Sequence, residues 1–522
     1  MKQHFTSKSI FHPLRGLRRS KTVKANLLLL CVAFASTPLL SAQINCASYI
    51  KQGTGSQTFQ TNVTQGPLVC QYPFNATALA QTYFGGNFAQ LPPSQQATAN
   101  AIFTGLVSAG TTATAPFNSS IASQLAQLPM PSAAVGTVTL RLSPNDPGTP
   151  FNNLGPILTD RPDTVPKHQY FLSFAYQHFN FTQINGLSFG ALSLATKVPC
   201  TPVPNANPTG TCDANNGMPY PTGFGDFYAG LQSSVSFQLD QYIGLFTYGL
   251  TRTMDVSVAV PVNSVSVSAT SSQYSAFLYS PSTSSLQPFV VLAQPDPNNP
   301  KLQTPLKTSG SASGVGDVTV DVKQMLLGKE GRYAMAVGTQ VRFPTGDSSN
   351  YLGSGAYGVN IFGLVEYRGG YRGVGIAPHM KLGYQWNSQS QIMDIQHPPH
   401  LNLPGGLDYA FGTDIGLYHN LRKYRNLTLA VDFVGHQYVN APVLTSSPLS
   451  LPTPPKSQTG IVVPATLASV TPGTNTYSTF NFSSGLKFQV QRHILLFGNV
   501  MVPINNVGLH SNPVPLVGIG IR

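Results

Sequence analysis

The chain has 522 residues, of which 9 % are charged, against roughly a quarter in ordinary soluble proteins. A mean hydropathy of zero excludes a bundle of apolar membrane helices as well as an unfolded polar chain. The formal charge of +12 misleads, because seven basic residues (Lys2, Lys8, Arg15, Arg18, Arg19, Lys21 and Lys24) and no acidic one precede Ala25; without them 22 basic residues face 17 acidic. No basic stripe with interleaved aromatics remains, which argues against a nucleic-acid partner.

Those seven cations lead into the apolar run 27–35, and the small residues Ser41 and Ala42 follow. A basic start, a short apolar centre and a small-residue exit predict a secretory signal peptide over 1–42, the run being too short for a membrane anchor. Export places the remaining cysteines, Cys46, Cys70, Cys200 and Cys212, in an oxidising compartment. The short-range pairs Cys46–Cys70 and Cys200–Cys212 are the simplest of three disulfide connectivities; the spacings do not suit a zinc knuckle. Residues 43–166 lack strand alternation. Pro93 and Asn118-Ser119-Ser120 introduce short helices near 97–107 and 121–128. This segment reads as a small periplasmic domain, a plug folded into a lumen, or a flexible leader.

From residue 167 onward the pattern changes to period two. In the hairpin around Gly328–Gly331, Val318, Val320 and Val322 alternate with Thr319, Asp321 and Lys323, and Tyr333, Met335, Val337, Val341 and Phe343 alternate with Ala334, Ala336, Gly338, Gln340 and Arg342. Further strands are predicted at 168–179, 231–247, from Met254, and near 358–367, 373–386, 406–418, 426–437, 477–490, 493–504 and 513–522. The connections alternate too: 249–252, 328–331, 368–373, 419–425 and 491–493 are short, whereas 185–230, 269–312, 344–357, 388–405 and 438–476 are long. A half-buried sandwich sheet has the same side-chain period. Short turns at one end, long loops at the other, an even strand count and an export signal favour an all-β, up-and-down antiparallel transmembrane barrel of about twelve strands over 167–522. Pro378 inside a strand demands a bulge.

The runs SGVGDVTVDVKQMLLGKEGRYAMAVGTQVRFPTGD, LGSGAYGVNIFGLVEY, GIAPHMKLGYQW and DYAFGTDIGLYHNLRKYRNLTLAVDFVGH, with LFTYGLTRTMDVSVAVPV upstream, resemble the outer-membrane proteins grouped as the meta-pathway of phenol degradation family. The resemblance covers about 156–522, and its best motifs are Gly-x-Gly-Asp before a strand and Pro-Thr-Gly-Asp after one. It implies an outer-membrane barrel, linked in some members to uptake of aromatic or other hydrophobic compounds. One departure is the C-terminus: strands of this class usually end on an aromatic residue for the barrel-insertion machinery, and this chain ends on Arg522.

No nucleophile elbow, phosphate-cradling glycine loop or His-Glu-x-x-His motif occurs, so neither an enzyme nor a cofactor is expected. His397 and His400 read as loop histidines before they read as metal ligands, and Gly346–Asn350 as a capped turn before a calcium loop. Asp255, Asp321, Lys323, Arg342, Glu366, His379, Lys381, Asp408, Asp414, Asp432 and Lys487 share the polar faces of their strands. Charge is costly toward lipid, so these should face a lumen, as a structural ion-pair ladder or as a selectivity lining. Two functions follow for a protein placed among outer-membrane lipid: a channel or transporter for small solutes, hydrophobic or aromatic ones among them, by passive or gated diffusion, or a surface structural or adhesion protein displaying long loops. The oligomeric state is not legible.

Overall fold

The computed structural model describes residues 67–70, 117–128, 130–132, 139–140, 149–198, 226–280, 285–288, 301–328, 331–371, 374–390, 392, 402–420, 425–452, 465–491 and 493–522. Twelve antiparallel strands carry the fold. They are β1 (Tyr170–Ile184), β2 (Phe227–Gly249), β3 (Met254–Ser280), β4 (Lys301–Val315, resuming as Val318–Leu327), β5 (Tyr333–Phe343) and β6 (Gly358–Tyr367). The circuit continues through β7 (Val374–Asn387), β8 (Gly406–Asn420), β9 (Arg425–Ser446), β10 (Val470–Gln491), β11 (Ile494–Pro503) and β12 (Val514–Ile521). Each strand pairs with the next in sequence, and β12 returns to β1 with Leu516 opposite Gln177 and Ile521 opposite Leu172. The sheet closes on itself, and closure is what allows strands to cross a bilayer without an unpaired edge.

The two faces are sorted as the alternation predicts. Along β5, Tyr333, Met335 and Val337 are exposed, while Ala334, Ala336 and Arg342 are buried. Along β7, Ile376, Met380, Leu382, Tyr384 and Trp386 are outside, and His379 and Gln385 are buried. An exposed apolar band around a closed barrel is a lipid-facing surface. Aromatic side chains gather toward its margins: Tyr333 and Tyr367 pair at the short-turn end with ring centroids 5.1 Å apart, and Tyr384 and Trp386 at the loop end at 4.6 Å. The chain is a bacterial outer-membrane β-barrel; in such barrels the short turns face the periplasm.

Three local expectations need correction. Much of the Ser-rich text at 269–312 is strand, since β3 continues to Ser280 and β4 begins at Lys301; their ladder runs from Val262–Val315 out to Gln273–Lys301. Val265, Val267 and Ala269 are buried there between outward serines, an alternation that the abundance of serine disguises. β9 and β10 likewise extend to Ser446 and back to Val470. Second, Pro378 needs no bulge of its own. β7 stays in register with β8 through the Pro378–Thr413 pair, and it is β6 that ends at Tyr367, with Arg368 leaving the ladder to donate its backbone N–H to Arg332. Third, the helix expected at 121–128 spans 117–126, so Asn118, Ser119 and Ser120 lie inside it. The helix expected at 97–107, His397 and His400, and the side chains of all four mature cysteines lie outside the described residues.

Candidate solute pathway

Residues 151–165 are nearly all buried, and their sequence has two chemical sides. Leu154, Ile157 and Val165 pack with Phe171, Ile243, Leu245, Leu495, Phe497 and Leu516, which point inward from β1, β2, β11 and β12. The polar side chains of the same segment meet the opposite wall. Asn153 donates to the backbone oxygen of Asp414 (2.9 Å), Asn152 to that of Gly416 (3.3 Å), and the N–H of Leu154 to Thr428 Oγ1 (2.9 Å). The wall makes room at glycines: a Cβ at Gly375 would lie 2.5 Å from the Asn152 oxygen, and one at Gly416 would strike the same carbonyl.

The ion pairs of this layer are buried and shared. Arg161 Nη2 is 2.7 Å from Glu366 Oε1, and its Nε is 3.2 Å from Asp163. Arg368 closes the square, 2.7 Å from Asp163 and 3.3 Å from Glu366, while its Nη1 donates to the Gly328 carbonyl. Burial alone would lower the Arg161 guanidinium; Glu366 and Asp163 more than offset it and hold it above its ordinary value. His379 sits between two carboxylates, Nε2 2.7 Å from Asp432 and Nδ1 3.3 Å from Asp414, with Thr159 Oγ1 2.9 Å from Nε2. A ring flanked in this way can donate to both carboxylates only as the imidazolium. Lys487 donates to the Pro156 carbonyl and Lys323 to that of Arg161 at 3.1 Å. Asp255, opposite Lys323 in the β3–β4 register, accepts the N–H of Val165 at 2.9 Å.

Above this layer Arg342 donates to the carbonyl of Ala126 in the 117–126 helix (2.7 Å) and to Asn387 (2.8 Å), with Asp317 3.7 Å away. Lys381 pairs with Asp408 at 3.2 Å, lies over the Phe362 ring and leaves Asn360 to donate to the same carboxylate. Nearer the loop end the filling turns apolar. Phe117, Ile121 and Leu125 of the helix, Leu68 and Val69, and Phe179, Phe181, Phe237 and Val265 of the wall join Tyr351 and Leu352 in one cluster.

Tyr351 and Leu352 belong to the connection 344–357, and the two sequence motifs hold it folded inward. Asp317, last of Gly-x-Gly-Asp, accepts the N–H groups of Gly346 (3.1 Å) and Ser354 (2.7 Å). Thr345 of Pro-Thr-Gly-Asp accepts the N–H of Val318 and donates to the Gly316 carbonyl. Asp347 caps the turn Ser348–Asn350 by accepting from the N–H of Ser349, as a turn-capping reading requires, and Asn350 Oδ1 accepts the N–H of Leu68. Burial pushes the Tyr351 phenol up, and its hydroxyl donates to Asn118 at 2.7 Å.

Between these layers lies a cavity of about 190 Å³. β2 and β3 bring Ile243, Leu245 and Ala259 to it, flanked by Gln241, Ser257 and Asn263, and Leu158 and Met130 add apolar surface; Asp160, Asp321, Lys381, Asp408, Gln385 and His436 carry its polar and charged lining. The eleven charged residues singled out from the strands thus fall into two groups. Asp255, Lys323, Glu366, His379, Asp414, Asp432 and Lys487 surround 151–165, and Asp321, Arg342, Lys381 and Asp408 border the cavity, which Lys323 also reaches. Asp160, Arg161, Asp163, Asp317, Arg368 and His436 were not foreseen. Most lie off the regular strands, and the signal that could have found Arg161 and Asp163 is the presence of three charges in 160–163 of so uncharged a chain.

A closed, lipid-facing barrel with a polar, partly filled lumen defines a transmembrane β-barrel protein of the outer-membrane type. Residues 219–428 match the model of the family described as "Putative MetA-pathway of phenol degradation", so the resemblance carried by Gly-x-Gly-Asp and Pro-Thr-Gly-Asp holds over that stretch. No curated protein matches. Among solved structures, the chain is similar to an outer membrane channel from Pseudomonas putida F1, at 11 % identity and TM-score 0.35, with 69 % of this chain and 97 % of that one covered. It is also similar to a Pseudomonas aeruginosa FadL homologue (8 %, TM-score 0.23, 67 % and 88 %) and to a mutant of the TodX monoaromatic hydrocarbon channel (8 %, TM-score 0.23, 69 % and 92 %).

Proposed function

We propose that the protein is a selective, normally occluded channel for small solutes with an apolar body, hydrophobic and aromatic ones among them, and that residues 43–166 act as its plug. Residues 1–42 serve as the export signal, and the pairs Cys46–Cys70 and Cys200–Cys212 close as disulfides. The observation that carries the reading is the cavity: it brings an apolar patch of Ile243, Leu245 and Ala259 and a set of charged side chains to one space, with Leu158 and Asp160 of the inner segment on its border. Its volume is close to the ~150 Å³ of an engineered cavity that takes up benzene, so a solute of about one ring fits it. Passage then requires 151–165 to shift against the apolar wall, where its contacts are non-directional.

Locking that segment tests the proposal. Thr159 Oγ1 and Asp432 Oδ1 are 3.3 Å apart, side chain to side chain, so Thr159→Cys and Asp432→Cys set two thiols facing each other for oxidative cross-linking. In proteoliposomes, flux of benzyl alcohol should stop on oxidation and return on reduction. Equal flux in both states would show that the segment is not a gate.

A further inference from the structure

Pairing each lumen carboxylate with a cation leaves two carboxylates over. Asp163 and Glu366 share Arg161 and Arg368. Asp414 and Asp432 share His379, with Lys487 in the same field. Asp255 stands across the ladder from Lys323, Arg342 neutralises Asp317, and Lys381 neutralises Asp408. Asp160 and Asp321 remain. Lys323 and Lys381, whose fields reach both, hold other contacts: Lys323 donates to the Arg161 carbonyl and stands across the ladder from Asp255, and Lys381 pairs with Asp408. Among the described residues, the side chains of Asp160 and Asp321 have neither an ion pair nor a hydrogen bond. Both border the cavity.

A second, independent observation points into the same space. His436 lines the cavity at 4 % exposure, and neither of its ring nitrogens has a hydrogen-bond partner. Buried polar groups in native proteins are normally satisfied, so an orphaned imidazole on the lining of the same cavity as two carboxylates without an ion pair marks a space where a polar group is received. The space has acceptors in excess, a negative surplus and an apolar patch. A solute that complements all three brings N–H donors, a positive charge and an apolar body.

We propose that the cavity binds a small organic cation, a protonated primary amine on a body of about one ring, with the ammonium between Asp160 and Asp321 and the ring against Ile243 and Leu245. Charge-assisted hydrogen bonds to the two carboxylates fix the head, and the apolar patch excludes a bare metal cation as an equal fit. This assignment rests on the channel reading only for how the solute arrives.

The test uses three probes of one size and shape: benzylamine, benzyl alcohol and benzoate. Equilibrium binding to the full-length protein in detergent is read separately from flux into proteoliposomes. Benzylamine should bind at least tenfold more tightly than the other two, the least expected from one close charge pair. Asp160→Asn and Asp321→Asn should each remove about tenfold of that preference and leave benzyl alcohol binding unchanged; retained heat-modifiable migration on a denaturing gel shows that the variants are folded. Equal binding of the three probes, a preference for benzoate, or an unchanged preference in folded variants would overturn the proposal. Binding of benzylamine without flux supports the site and overturns the channel reading instead.

Discussion

Among the described side chains, β11, β12, β1 and β2 turn no charge into the lumen, while each of the other eight strands turns at least one. Both arcs are well packed, but they act on the inner segment differently. The apolar arc meets Leu154, Ile157 and Val165 with side chains that have no preferred partner, so sliding along it exchanges one contact for a similar one. The charged arc meets Asn153, Thr159 and Arg161 with groups that must be matched atom for atom, and a displacement there strands buried charge. One wall grips and the other yields. On the proposed channel reading, occlusion would be a property of the charged arc, and the route past the segment a property of the apolar arc.

The sharpest way to break this contrast is to unmatch the grip. Arg161→Met leaves Glu366 and Asp163 with only Arg368 between them, and breaking a buried pair costs about 3–5 kcal/mol. Much of that strain is relieved if 151–165 leaves its seat, so denaturant unfolding should show a loss smaller than that figure, accompanied by a rise in single-channel conductance. A stability loss with no rise in conductance would mean that the segment stays put and the charged arc is scaffolding alone.

On the apolar arc the same logic predicts a cost with no change of state. Leu245→Ala should destabilise by about 2–5 kcal/mol, as a buried leucine that leaves a cavity does, while conductance stays at the wild-type level. If Leu245→Ala opens the channel as Arg161→Met does, the two arcs are equivalent and the contrast fails.

The faces themselves are checked from the lipid side. Val337 is outside and the neighbouring Gln340 inside on β5, so Val337→Arg should cost about 2–4 kcal/mol near mid-membrane and Gln340→Arg much less. Equal costs would mean that β5 is assigned to the wrong register.

The legible and illegible parts of the molecule differ for a physical reason. Strands announce themselves through a period that every residue repeats, which is why β5 and β7 could be read with their faces and nearly their ends. The charged candidates on those strands followed from the same period and from the cost of charge in lipid. Residues 151–165 have no period, because they are neither helix nor strand but a chain shaped by its surroundings. The partner of Arg161 is Glu366, 205 residues away, and nothing near Arg161 in sequence announces it. Pro378 misled for a related reason: the proline's missing donor is accommodated by the end of β6, on a neighbouring strand, where local text holds no sign of it.

The smallest expected effect tests whether the loop end behaves as the apolar arc does. Tyr351 is fully buried, its ring meets Phe237 of β2 edge to face at 5.6 Å, and its hydroxyl is the one polar feature it brings to the cluster, donating to Asn118. If the connection 344–357 is held there chiefly by apolar packing, Tyr351→Phe keeps the ring and loses one hydrogen bond, a cost of about 1 kcal/mol, rising toward about 2 because Asn118 Oδ1 is left buried and unpaired. Tyr351→Ala removes the ring as well and should cost about 3–5 kcal/mol, comparable to other buried aromatic truncations. The difference between the two variants isolates the packing contribution. Denaturant unfolding of both, beside Asn118→Ala, measures it: a Tyr351→Phe loss as large as that of Tyr351→Ala would mean that a directional polar contact holds the loop end, and that the yielding behaviour of the apolar arc stops below it.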